Sequence, residues 1–70
     1  MTKVVMNEAI PARDASLEVL EEKLTDGSKV YDVSVRPDWN AARILLVSAR
    51  DEQAAYTCFD AVLAALKAAQ

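Results

Sequence analysis

Cys58 is the side chain with the greatest potential for covalent chemistry in this sequence, since a cysteine thiolate is a strong nucleophile. Such a nucleophile needs a neighbouring base, and the chain contains no histidine to act as one. A single cysteine also excludes a disulfide within the chain, and the composition does not fit a structural zinc site. We therefore interpret Cys58 as a small apolar residue buried beside Phe59.

Carboxylates are the other candidate chemical groups, and the N-terminal half contains four of them on one side of an expected helix: Asp14, Glu18, Glu21 and Glu22. This acidic side would either meet a basic partner, in mimicry of nucleic acid, or face solvent. No carboxylate pair stands out as catalytic, and Gly27, the only glycine, excludes the phosphate-binding loop motifs. The sequence thus predicts a protein that is not an enzyme and that has no catalytic residue, cofactor or metal site.

Length and composition predict a single domain over residues 1–70, of which 53% are hydrophobic. The net charge is −3 and the basic residues are scattered, which disfavours nonspecific binding to nucleic acid. The longest apolar block, Ile44 to Val47, is too short to span a bilayer, and no secretory signal is recognisable. We therefore expect a cytoplasmic protein. Because neither disulfide nor metal supports so small a domain, we also expect association with another chain.

The hydrophobic pattern predicts five elements in the order β-α-β-β-α. Strands are expected at residues 3–10, 30–36 and 43–49, and helices at residues 12–24 and from about Asp51 to the C-terminal end. The first helix is predicted from apolar residues at helical spacing: Ala12, Ala15, Val19, Leu20 and Leu24. The second helix is predicted from a larger apolar stripe: Ala55, Phe59, Val62, Leu63 and Leu66.

Local signals mark the ends of these elements. Asp26–Gly27 predicts the stop of the first helix, because glycine adopts the left-handed conformation that closes many helices. Asp51 predicts the N-cap of the second helix. A turn cluster at residues 37–40 predicts an antiparallel hairpin between the second and third strands. Trp39 in this turn would either anchor a partner or fold back over the strand ends.

These elements predict an α+β fold with a three-stranded sheet of order 1-3-2 and two helices packed on one face. This is a ferredoxin-like fold that lacks the last strand. The opposite sheet face and the edge of strand one would be open, and we interpret them as a docking surface rather than as a thin apolar patch. The predicted sheet interface comprises Val5, Asn7, Ala9 and Val30.

The back of the second helix is rich in small residues and forms a second candidate interface. Its members are Ala54, Thr57, Ala61, Ala64, Ala65 and Ala68. Small side chains let a partner helix approach closely, whereas alanine is also the best helix former and suits an exposed side for that reason alone. The two interpretations remain open.

The C-terminal segment LLVSARDEQAAYTCFDAVLAALK resembles the last strand and helix of the small dimerisation subunit of the KEOPS complex, the Pcc/CTAG-type family. The matching positions are Leu46, Val47, Ala49, Asp51, Ala54, Phe59, Asp60, Ala61, Leu63, Leu66 and Lys67. Ile10–Pro11 resembles the family's N-terminal step from strand to helix. Tyr56 replaces a residue that is often basic, and Asp60–Ala61 replaces the usual Asn-Ser step, which indicates a divergent paralogue.

The resemblance implies a non-catalytic subunit of the machinery that makes threonylcarbamoyladenosine in tRNA. Such a subunit forms a homodimer, or a heterodimer with a paralogue, and docks on the catalytic ATPase-fold subunit. It would also help to position the tRNA through an indirect contact, and the sequence leaves a direct contact open. A second hypothesis is a DinI-like inhibitor that binds a nucleic-acid enzyme through its acidic helix, and charge reversal of Glu18, Glu21 and Glu22 would separate the two. A stand-alone RNA-binding module is the weakest hypothesis, because strand three lacks exposed aromatic residues.

The alanine side of the second helix generates one prediction. Ala61→Arg is expected to abolish partner binding without unfolding the chain, since the long cation would prevent close approach of another helix. Partner binding is measured by affinity capture, and folding by circular dichroism. Unchanged binding would assign this side of the helix to solvent.

Overall fold

The computed structural model describes residues 2–10, 15–38 and 40–68. In these residues four strands precede one helix: β1 (Thr2–Ile10), β2 (Ala15–Lys23), β3 (Lys29–Arg36), β4 (Ile44–Ala49) and α1 (Glu52–Ala68). The strands form one antiparallel sheet in the order β1-β2-β3-β4. Helix α1 packs on one face of this sheet, so the fold is a meander covered by a single C-terminal helix.

The predicted first helix is wrong, because most of that segment forms β2. Strand β2 pairs along its length with β1 on one side and β3 on the other, which satisfies its backbone groups through two ladders. Leu17 and Val19 alternate with Glu18 and Leu20, so the same residues that fit a helical stripe also fit a strand. The predicted start of the helix falls within residues 11–14, which lie outside the described residues.

The predicted strand order 1-3-2 is also wrong, and with it the ferredoxin-like topology. That order required a helical crossover between the first two strands, whereas antiparallel neighbours need only short connections. With β2 in place of the helix, each strand pairs with the next one along the chain. The segment at residues 43–49, which was predicted to be the central strand, is therefore the edge strand β4.

In the C-terminal half of the chain, the predicted hairpin and the predicted helix are confirmed. Strands β3 and β4 form the expected antiparallel hairpin, although Trp39 in its connection lies outside the described residues. Asp51 caps α1 as predicted, since its Oδ2 accepts a hydrogen bond of 3.1 Å from the Ala54 amide. The helix then runs to Ala68.

Gly27 adopts the left-handed conformation expected from sequence, with a φ of +91°, but it closes a hairpin and not a helix. It lies in the turn between β2 and β3, where the Ser28 amide and hydroxyl both donate to Asp26 Oδ1 at 2.9 and 2.6 Å. A side chain at Gly27 would meet no neighbouring atom within 4 Å. The backbone conformation, rather than space, therefore favours glycine here.

The core lies between α1 and the two central strands. Leu17 and Val19 of β2 and Val33 of β3 are fully buried, and Phe59 of α1, only 2% exposed, packs against them. Tyr31 and Ala55 complete this cluster. Since Phe59 is the largest buried side chain of the helix, it is the main contact that holds α1 on the sheet.

We predict that Phe59→Ala lowers the free energy of unfolding by about 3–5 kcal/mol, through lost burial and the cavity left behind. The exposed Ala64→Ser provides a control on the same helix and is expected to change it by less than about 0.5 kcal/mol. Urea denaturation followed by circular dichroism measures both. Equal effects of the two substitutions would contradict this packing.

Candidate interaction surface

Strand β4 carries three of the four large apolar side chains that are exposed among the described residues. Ile44, Leu45 and Leu46 are 52%, 59% and 46% exposed, although they are large aliphatic residues in a strand. They lie on the edge strand β4, which has a neighbour on one side only, and these three residues are called the edge patch below. An exposed apolar edge strand is typical of a docking site for another chain.

The edge patch has side chains on both faces of the sheet, and the pairing of β4 with β3 is irregular within it. The pairing shifts register between Val33 and Ser34, which leaves Leu46 without a partner on β3. Ile44 pairs with Val35, on the face covered by α1, and Leu45 pairs with Ser34, on the opposite face. The apolar surface is therefore available on both faces of the edge.

An ion pair between the buried Glu18 and the exposed Arg43 fixes the N-terminal end of β4 to the sheet. Glu18 of β2 is 4% exposed on the face opposite α1. Arg43, which directly precedes β4, donates from Nε to Glu18 Oε1 at 2.6 Å, and Asn7 of β1 donates from Nδ2 to Oε2 at 3.0 Å. The three side chains thus connect β1 and β2 with the beginning of the edge patch.

The electrostatics of this cluster favour the charged form of Glu18. The hydrogen bond from Arg43 lowers the Glu18 pKa most, and the charge of Arg43, the Asn7 hydrogen bond and the charge of Arg36 lower it further, against a rise from burial. Glu18 in turn raises the pKa of Arg43. Arg36 Nε is buried without a hydrogen-bond partner among the described residues. Because its pKa is lowered, Glu18 is ionised at pH 7 and pairs with Arg43. The Glu18–Arg43 pair is called the clamp below.

The residues predicted as a helix interface are exposed, and their role as an interface stays a prediction. All six residues are exposed along α1, on the side that faces away from the sheet: Ala54, Thr57, Ala61, Ala64, Ala65 and Ala68. They carry no charge, and no described element covers them.

The predicted sheet interface does not form one surface. The β1–β2 ladder shifts register between Val4 and Met6, so Val5 has no partner on β2 and packs against the core. Asn7, Ala9 and Val30 lie on the opposite face, where Asn7 is engaged with Glu18. The four residues are therefore divided between the two faces of the sheet.

The expected acidic surface is likewise divided. Glu21 lies on the α1 side, where its Oε1 is 3.5 Å from Lys29 Nζ. Glu18 and Glu22 lie on the other face, and of these only Glu22 is exposed. Asp14 lies outside the described residues. The described residues 15–23 therefore do not form the helix with one acidic side on which the inhibitor hypothesis depended.

No group of three His, Cys, Asp or Glu residues in the described part of the chain has the geometry to hold a metal ion. Cys58 is half-buried and packs against the core cluster. No helix in these residues has the length and apolar character to cross a membrane.

Sequence reasoning missed the edge patch and the Glu18–Arg43 pair. The apolar run Ile44 to Val47 was the available signal for the patch, but it was assigned to a central strand. The ion pair had no such signal, because its partners are 25 residues apart and meet only through the sheet.

In the described residues the fold is that of a small α+β protein, with a helix on one face of the sheet and an exposed apolar strand at one edge. Comparison of the chain with protein-family models, curated proteins and solved structures gives no match in any of the three. Its function must therefore be inferred from its own geometry.

The clamp predicts a specific pH dependence. Glu18→Gln is expected to lower the free energy of unfolding by about 1–3 kcal/mol at pH 7, because Arg43 loses its carboxylate partner. The folded-state pKa of Glu18 is depressed. Its stabilisation is therefore present above the unfolded pKa of about 4.3 and is lost as the pH falls through the folded-state value.

The difference between wild type and Glu18→Gln should accordingly shrink as the pH falls below about 4.3. Glu22→Gln, an exposed change on the same face of β2, provides the control and should have little effect at any pH. Urea unfolding at several pH values measures both variants. A pH-independent deficit for Glu18→Gln would exclude the ionised carboxylate as its cause.

Proposed function

We propose that this chain is a non-catalytic protein-interaction subunit that docks through the β4 edge patch. The observation that carries the proposal is the exposure of Ile44, Leu45 and Leu46 on an unpaired edge strand. Solvent exposure of such an edge is costly and invites aggregation, so proteins usually protect their edges with charges or cover them. A partner that adds a strand would bury the patch and satisfy the free backbone groups together.

The composition of β4 supports a protein partner over a nucleic acid. The strand from Ile44 to Ala49 contains no charged residue, whereas nucleic-acid binding depends on clustered cations. The aromatic residues of the described core do not offer stacking surfaces either, since Tyr31 and Phe59 are buried. These features favour an apolar protein contact.

A narrower form of the proposal is an assembly subunit of a KEOPS-type complex that modifies tRNA. Strand β4 and helix α1 coincide with the segment that resembles the family's last strand and helix. The N-terminal half gives no such support, because β2 occupies the place of the family's first helix. The catalytic ATPase-fold subunit as partner, an indirect tRNA contact and the cytoplasmic location remain predictions from sequence.

Affinity capture with matched variants tests the proposal. Tagged wild type, Leu45→Lys and Val4→Lys would be used to capture proteins from native lysate. Leu45 and Val4 are 59% and 45% exposed on the two opposite edges of the sheet, so each substitution adds one charge at comparable structural cost. We expect a protein that binds wild type and Val4→Lys and is lost with Leu45→Lys.

Capture that is insensitive to Leu45→Lys would exclude the edge patch as the docking site. The identity of the captured protein tests the narrower form separately. A tRNA-modifying protein of the ATPase fold among the Leu45-dependent partners would support the KEOPS-type assignment, and a different Leu45-dependent partner would contradict it while leaving the docking surface in place.

A further inference from the structure

We draw no further inference here: the strongest candidate, the apolar edge patch of Ile44, Leu45 and Leu46 on the edge strand β4, already carries the proposed docking function, and nothing in the structure shows what kind of partner covers it.

Discussion

In the residues that the structure describes, one helix has to cover a four-stranded sheet, and the rest of this fold follows from that constraint. Neighbouring strands lie about 4.8 Å apart, and a helix with its side chains is about 10 Å wide, so α1 can seal only about two strands. The fully buried sheet residues Leu17, Val19 and Val33 accordingly belong to β2 and β3. Both outer strands keep large apolar side chains in solvent, at Val4 on β1 and at the edge patch on β4.

The face opposite α1 is organised by polar contacts. Glu18 and Ser34 are buried there although α1 lies on the other face. The side chain of Arg43, from the β3–β4 connection, contacts Glu18 on this face. The Glu18–Arg43 hydrogen bond ties the beginning of β4 to β2 across β3. The clamp therefore attaches the residue that directly precedes the edge patch to a central strand.

The features of the fold that could be predicted are those for which neighbouring residues in the sequence give a signal. Asp51 was recognised as an N-cap because its carboxylate bonds to an amide three residues away. Gly27 was recognised as left-handed, but that conformation serves helix ends and hairpins alike, and the sequence did not distinguish them. Residues 15–23 fit both periodicities, and strand pairing on both sides favoured β over α. The single wrong assignment of this segment then placed β4 at the centre of the sheet.

The sequence by itself determined three of the four strands, the C-terminal helix, its cap and the absence of a histidine-dependent or multi-cysteine site, because composition and short-range spacing decide these features. It also indicated that the apolar run Ile44 to Val47 needed covering. Only the tertiary structure decided that β2 is a strand, that β4 is an edge and that Glu18 and Arg43 meet. Each of these depends on contacts between residues far apart in the chain, whose free energies outweigh the small differences in local propensity.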